Sequence, residues 1–322
     1  MVNLRKFFPV VVLVLGLICI STYSFAGDNK GENHIPVIRF GTLPVVHALP
    51  LFVASEKGYF DQQGIKVELI PFNSAMEKDM ALAAKEISGY FGDILTSTVL
   101  NANNIPLRMV ATIFNSTGGQ RTFAILAASK SSGKTLEELS EAGIAGSSNT
   151  VIEYITHKIL ISRKIDIKKL NMIEIKNIPI RLQMLLSGQV PSATLPEPLV
   201  TFAEMNGAKV VGDDAGKGIS SIILAFRLDF LEGHTVEVRG FIAAVNSAIS
   251  FINDNPEKVR PIMNRFCRVP KPLQKSFTIP RFPEPIAPDP GQVMDVYNWL
   301  WKKGIIKTEM GYKQMVSDGY LP

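Results

Sequence analysis

Apolar and polar positions follow two periods along the chain, one typical of strands and the other of helices. Short apolar or alternating runs predict strands, among them VIRFGTL from residue 37 and IKVELIPF from residue 65. Longer runs with an apolar stripe predict helices; between 151 and 160 the stripe consists of Val151, Ile152, Ile155, Ile159 and Leu160. Strands and helices alternate repeatedly, which predicts an α/β protein with parallel sheets and helices on both faces.

One of these helices is predicted for the run AMEKDMALAAKE, from 75 to 86. Its apolar residues Met76, Met80, Leu82 and Ala83 are expected to share one face.

The start of the chain has the order of a secretory signal peptide. Arg5 and Lys6 are followed by the apolar run VVVLVLGLICI and by SFA, a small-x-small site that ends at Ala26. The apolar run is shorter than the ~20 residues that span a bilayer well, and no later run approaches that length. Residues 1–26 are therefore expected to be cleaved on export to the periplasm, with a retained anchor as the alternative. Because Ile18 is bulky, lipidation at Cys19 is not expected.

The length and the charge of the chain narrow the class of protein further. A chain of 322 residues that is 46% hydrophobic suits two domains of ordinary size. Loss of Arg5 and Lys6, two positive charges, lowers the formal charge from +5 to +3. Such a weak, scattered excess does not indicate a nucleic-acid partner. Cys267 is the one cysteine left after cleavage, so no intramolecular disulfide is possible, and we interpret it as a small core or surface thiol.

The sequence lacks the motifs of the common enzyme and metal-site classes. HExxH, CxxC, a serine nucleophile elbow, a P-loop and GxGxxG are all absent. The spacing of the four histidines, His34, His47, His157 and His234, does not resemble a ligand set. We therefore predict no catalytic residue, no metal and no cofactor.

Polar residues collect where predicted strands end and helices begin. In open α/β sheets ligands bind beyond the carboxyl ends of strands, and helix N-termini there offer free N–H groups to anions or carbonyl oxygens. We therefore predict that strand-end loops line a cleft for a small molecule. The candidate residues are Leu43, Pro44, His47, Asn73, Ser74, Asp93, Phe114, Asn115, Ser147, Ser148, Asn149 and Thr150.

Each polar candidate also has a structural alternative. Asn73 and Ser74 are helix-cap types first and ligand neighbours second. Asp93 could cap the next helix or receive an amine or hydroxyl from a ligand. His47 could line the cleft or serve the fold. In the loop GSSNT, residues 146 to 150, capping explains one or two of the four polar residues, and a cleft role explains the surplus.

Four segments occur in an order that resembles a known family. They are LPLFVASEKGYFDQQGIKVELIPF, LLSGQVPSATLPEPL, FINDNPEKV and WLWKKGIIK with the terminal GYLP. From about residue 37 to its end the chain resembles the periplasmic solute-binding proteins of ABC importers, more closely the nitrate, sulfonate, taurine and thiamine-pyrimidine branch. The resemblance implies a two-lobed, type II-like periplasmic-binding-protein fold, in which two parallel-rich sheets flanked by helices are joined by two crossover strands. The two lobes are expected to close on a ligand. It also implies that Glu197, in the turn Pro196-Glu197-Pro198, faces the cleft.

The resemblance sets the expected organisation and partners. One lobe comprises 37–120 and 217–322, and 121–216 forms the inserted lobe; the strands RTFAILAAS and SIILAFRL are the crossover and hinge candidates. We expect a monomeric receptor that passes a small organic ligand to a permease and an ATPase from other chains. A secreted enzyme of the same fold is the alternative.

The identity of the ligand stays open between two classes, sulfonate-like and pyrimidine-like. Trp299 and Trp301 lie in the predicted C-terminal helix, so stacking on a heterocycle would fall to Phe72, Phe91 or Phe114.

Overall fold

Two sheets of five strands organise the part of the chain that the structure, a computed structural model, describes: residues 36–116 and 119–322. The signal-peptide prediction, Cys19 and His34 lie outside these residues. The first sheet has the order β2-β1-β3-β10-β4, with β1 (Val37–Thr42), β2 (Lys66–Pro71), β3 (Gly89–Asp93), β4 (Leu107–Asn115) and β10 (Ser221–Arg227). The second has the order β7-β6-β8-β5-β9, with β5 (Phe123–Ala127), β6 (Ile144–Gly146), β7 (Met172–Glu174), β8 (Ser192–Pro196) and β9 (Lys209–Asp213).

Both sheets are mixed, and they share one topology. In the first sheet β2, β1 and β3 are parallel, whereas β10 runs antiparallel to β3 and β4. In the second, β7, β6 and β8 are parallel, and β5 runs antiparallel to β8 and β9. The strands predicted as crossovers are therefore the antiparallel members, each inside a sheet. The predicted α/β fold is confirmed, with one reversed strand in each otherwise parallel sheet.

Helices connect the parallel strands. Those among the first-sheet strands are α1 (Leu49–Glu56), α2 (Tyr59–Gln62), α3 (Ala75–Ala83) and α4 (Ile94–Ala102). The second sheet carries α5 (Leu136–Ala142), α6 (Val151–Ser162), α7 (Ile178–Leu186) and α8 (Leu199–Met205). After β10 follow α9 (Leu228–Gly233), α10 (Thr235–Asp254), α11 (Pro256–Phe266), α12 (Pro290–Lys302) and α13 (Tyr312–Met315). Gly58, at φ +67°, adopts the left-handed conformation that lets the chain turn between α1 and α2.

Helix α10 is, of the helices described, the one long and apolar enough to cross a membrane by length and composition, with a mean hydropathy of 1.3. No such run was expected beyond the N-terminus. Its apolar face is nevertheless part of the protein core, where Val238, Phe241, Ile242 and Val245 are fully buried. The ring of Phe241 packs against Phe40 of β1 at 4.6 Å between centroids. We therefore assign α10 as a core helix.

The predicted apolar face of α3 is wrong except at Leu82. Met76 and Met80 are 71% and 66% exposed and Ala83 is exposed too, whereas Lys78 and Ala81 are buried beside Leu82. The Lys78 amine lies 3.0 Å from an Asp79 carboxylate oxygen and 3.4 Å from the centre of the Tyr90 ring. Burial lowers the pKa of Lys78, and the neighbouring carboxylate opposes that shift. An ion pair and a cation–π contact thus stabilise a buried lysine on the helix face where hydropathy predicted buried methionine side chains.

Two connections carry the chain between the sheets, from β4 to β5 and from β9 back to β10, and they are bonded to each other. Ser116 N donates to Ser220 O at 3.1 Å, and Gly216 N donates to Ser116 O at 2.6 Å. The fully buried Asp214 carboxylate accepts N–H groups of Thr122 and Phe123 at 2.8 and 3.0 Å, and the hydroxyl of Ser220. One buried side chain therefore joins both connections.

Candidate functional site

A cavity of about 280 Å³ lies where the two sheets meet. The loop after β1, the β4–β5 connection, the end of β8 with α8, and the segment after α11 each contribute to its wall. The lining residues are Val46, His47, Gln120, Arg121, Glu197, Thr201, Met205, Leu273, Ser276, Phe277, Thr278 and Pro280. This volume is near the lower limit of ~300 Å³ for small-molecule pockets, so the cavity suits a small metabolite.

An ion-pair network built on Arg121 forms one side of the cavity. Arg121 Nε donates to Glu197 Oε1 at 2.5 Å, and Arg121 Nη2 donates to Glu204 Oε2. The second Glu197 oxygen accepts from Thr201, from the backbone N–H at 3.1 Å and from the hydroxyl at 2.9 Å. Glu197 is buried, whereas Glu204 is partly exposed. The network therefore fixes a guanidinium from the connection against two carboxylates, one directly after β8 and one in α8.

His47 also lines the cavity, from the short 3₁₀ turn after β1. Its ring is only 5% exposed and lies 4.5 Å from the ring of Phe114, centroid to centroid. Burial lowers the pKa of His47 to about 4. The imidazole is therefore neutral at pH 7 and offers one donor and one acceptor. Phe114 in turn packs against Phe282 at 5.7 Å.

The cavity is closed on a third side by the chain after α11. Leu273 and Phe277 are buried there and present apolar surface to the cavity. The Gln120 side chain bonds both backbone groups of Arg281 at 2.7 Å, which attaches the β4–β5 connection to this segment.

The structure brings some of the predicted site residues together and leaves others apart. His47 and Glu197 line the cavity, and Phe114 lies behind His47. Leu43 and Pro44 are half-buried in the same loop but do not line the cavity. Asn115, half-buried, ends β4 opposite Ser221.

Three predicted residues are N-caps of helices. The Ser74 side chain accepts from Glu77 N at 3.2 Å, and Asp93 accepts from Thr96 N at 2.8 Å. Thr150 accepts from Ile152 N at 3.2 Å. These side chains thus satisfy helix donors, as the structural alternative expected.

The remaining polar residues of the GSSNT loop are also engaged within the chain. Ser148 donates from its N–H at 2.9 Å and from its hydroxyl at 2.7 Å to a Glu174 oxygen at the end of β7. Asn149 N donates to Glu153 at 2.7 Å, and Ser147 is buried. Ser148 and the backbone of Asn149 therefore have acceptors inside the protein. Asn73, outside this loop, accepts at 2.6 Å from Arg268.

Sequence reasoning missed Arg121, Thr201 and Phe277. A signal for Arg121 existed, since it is the first residue of the predicted crossover strand and Glu197, an acid in a rigid turn, needs a cationic partner. Phe277 lies in a Pro-rich segment without periodicity, where no pattern marks a site.

A second polar cluster joins α6 to α12, away from the cavity lining. Asp295 accepts from the Tyr154 hydroxyl and from Lys158, at 2.6 Å in each case. Trp299 Nε1 donates to His157 Nδ1 at 3.2 Å. Trp299 is thus engaged in this contact. Within 36–116 and 119–322, no group of three His, Cys, Asp or Glu side chains could hold a metal ion.

Comparison with known proteins agrees with this architecture. A family model described as NMT1/THI5 like matches residues 46–259, well over half of the chain. The chain belongs to the NMT1/THI5-like family. Comparison with curated protein sequences gives no significant match.

Solved structures share the fold of this family member at low sequence identity. The periplasmic aliphatic sulphonate binding protein SsuA from Escherichia coli has a TM-score of 0.75 at 13% identity, covering 87% of this chain and 92% of SsuA. The alkanesulfonate-binding protein SsuA from Xanthomonas axonopodis pv. citri, bound to MOPS, has 0.74 at 14%, covering 88% and 98%. The zinc-bound ligand-binding component of an ABC-type import system from Staphylococcus aureus has 0.70 at 16%, covering 88% and 97%. The predicted periplasmic-binding-protein fold is confirmed.

Proposed function

We propose that this protein is an exported solute-binding receptor, which captures a small organic ligand between two lobes and delivers it to the permease of an ABC importer. The observation that carries the proposal is the composition of the cavity wall. His47 follows a strand of the first sheet, Glu197 follows a strand of the second, and Arg121 belongs to the connection between the sheets. A ligand in this cavity would contact both parts of the molecule at once.

The lobes in this proposal are 37–120 with 217–322, and 121–216. Strands of the first sheet come from the former ranges and strands of the second from the latter. Contacts to both lobes favour the closed state, because a ligand shifts a conformational equilibrium by its differential affinity for the two states. The connections joined through Asp214 would act as the hinge.

Export, location and partners belong to the same proposal. Similarity to binding proteins whose names include periplasmic and ABC import supports a periplasmic location and partner chains for membrane transport. Signal peptidase would cleave after Ala26, and the mature receptor would act as a monomer.

The test is to identify and follow a bound ligand. Protein purified under mild conditions would be analysed by native mass spectrometry, and the released compound would be titrated back in a thermal-shift assay. Ligand at ~100 times the dissociation constant raises stability by roughly 2.7 kcal/mol. Unchanged ligand released on denaturation, together with a smaller radius of gyration at saturation, supports the receptor.

Conversion of the bound compound to a product would instead support the enzyme alternative. In the described part of the chain the thiol of Cys267 is buried in the core, and burial raises its pKa well above the usual value. This thiol therefore cannot supply a thiolate nucleophile to the cavity.

A further inference from the structure

Carboxylates of the protein itself accept hydrogen bonds from the backbone N–H groups that were expected to bind an oxyanion ligand. Glu77 accepts from Asn73 N at 3.1 Å, and Glu174 accepts from Ser148 N at 2.9 Å. Asp93 and Glu153 do the same for Thr96 N and Asn149 N. A sulfonate or carboxylate ligand at these loops would have to displace an internal carboxylate and then lie beside it.

In the cavity, too, carboxylates of the protein bind the group that could attract an anionic ligand. Arg121 is the one Lys or Arg among its described lining residues, and its Nε and Nη2 groups already bond Glu197 and Glu204. Two carboxylates therefore face one guanidinium, while His47 is neutral near pH 7. The group carries a net charge of −1, which disfavours a further negative charge and favours a neutral or positive one.

Within the described part of the chain, acceptor positions remain free at the same wall. Glu197 Oε1 accepts one bond, from Arg121, and a carboxylate oxygen has two acceptor sites. The neutral His47 ring supplies another acceptor. Phe277 and Leu273 face these groups with apolar surface suited to the carbon part of a ligand.

We infer that this cavity takes a small ligand without net negative charge, which donates hydrogen bonds from an amine, amide or hydroxyl group; the inference rests on the proposed receptor function. The ligand class thus differs from the sulfonates in the names of the SsuA proteins of similar fold. The protein's own carboxylates are what exclude the oxyanion.

The experiment compares two probes of matched shape, 4-aminopyrimidine and pyrimidine-4-carboxylate, by isothermal titration calorimetry. The wild type should bind the amine at least tenfold more tightly than the carboxylate. The double variant Glu197→Gln with Glu204→Gln keeps similar side-chain size but releases Arg121, and it should gain at least tenfold in affinity for the carboxylate. Melting curves check that the variant folds. Should it not fold, Glu204→Gln alone, at a side chain 39% exposed, should change the affinity in the same direction.

Each outcome decides the inference. Equal affinities in the wild type, or a preference for the carboxylate, overturn it and leave the receptor function intact. If neither probe binds the wild type, a gain of carboxylate binding in the variant supports exclusion by Glu197 and Glu204, and no gain overturns it. Conversion of a bound compound would overturn the receptor function while leaving the charge preference in place.

Discussion

Replacing His47 by glutamine removes a titrating ring from the cavity wall and should make the protein less sensitive to acid. Burial lowers the pKa of His47 to about 4 from 6.5, so the folded protein holds the ring neutral. As the pH falls below 6.5, the unfolded chain binds a proton that the folded protein resists. The stability linked to His47 is therefore complete above pH ~6.5 and is lost as the pH falls towards ~4.

The magnitude follows from the size of the shift. Each pH unit within this window costs about 1.36 kcal/mol of unfolding free energy, so the loss from this ring is about 2 kcal/mol at pH 5 and roughly 3 kcal/mol at pH 4. Glutamine keeps a donor and an acceptor at the position but does not titrate. The wild type should thus lose about 2 kcal/mol more than His47→Gln between pH 7 and pH 5.

Urea unfolding at both pH values measures this difference. With an m-value of roughly 2 kcal/mol/M, the wild-type midpoint should fall about 1 M further than that of the variant. His157, whose pKa is also lowered by burial, is present in both proteins and cancels in the comparison. Midpoints that fall in parallel would refute the reasoning, because a ring that titrates normally in the folded protein has no linkage to stability.

Three further substitutions test other parts of the structure, each by urea unfolding. Ser148→Ala removes a hydroxyl hydrogen bond to Glu174 and should lower the free energy of unfolding by about 1 kcal/mol without changing ligand affinity. A tenfold loss of affinity would show that this loop binds the ligand. Gly92→Ala places a Cβ 2.3 Å from a Tyr90 ring carbon and should cost roughly 1–3 kcal/mol, whereas an unchanged midpoint would show that the ring moves freely. Arg181→Met removes the side-chain donor from two main-chain carbonyls, that of the buried Thr194 and that of the half-buried Ile175, and should cost roughly 2 kcal/mol or more; a stable variant would mean that water replaces the guanidinium.

The fold was predictable because it depends on local patterns. Alternation in the stretch from residue 65 follows the two faces of a strand, and the stripe on α6 follows one face of a helix; both appear in the structure, as β2 and α6. The face of α3 was not predictable, since Lys78 is buried through contacts with Asp79 and the ring of Tyr90, which follows twelve residues later. Hydropathy assigns a lysine to the surface unless such partners are known.

The cavity required information that lies far apart in the chain. Arg121 and Glu197 are 76 residues apart, and their pairing depends on β5 running antiparallel to β8. Strand alternation predicts neither that pairing nor its register. The apolar wall at Leu273 and Phe277 lies in a segment whose prolines suppress any periodic signal.

Strand-end polar residues illustrate the same limit for ligand chemistry. The GSSNT loop has donors suited to an oxyanion, but whether a ligand can use them depends on acceptors elsewhere in the chain. Glu153 comes from within the following helix, a position that sequence spacing can suggest. Glu174 comes from the end of β7, 26 residues away, and only the parallel pairing of β6 with β7 brings it to Ser148. We therefore expect two chains of this fold with similar strand-end loops to differ in the ligand charge that they accept, depending on whether the chain supplies its own carboxylates.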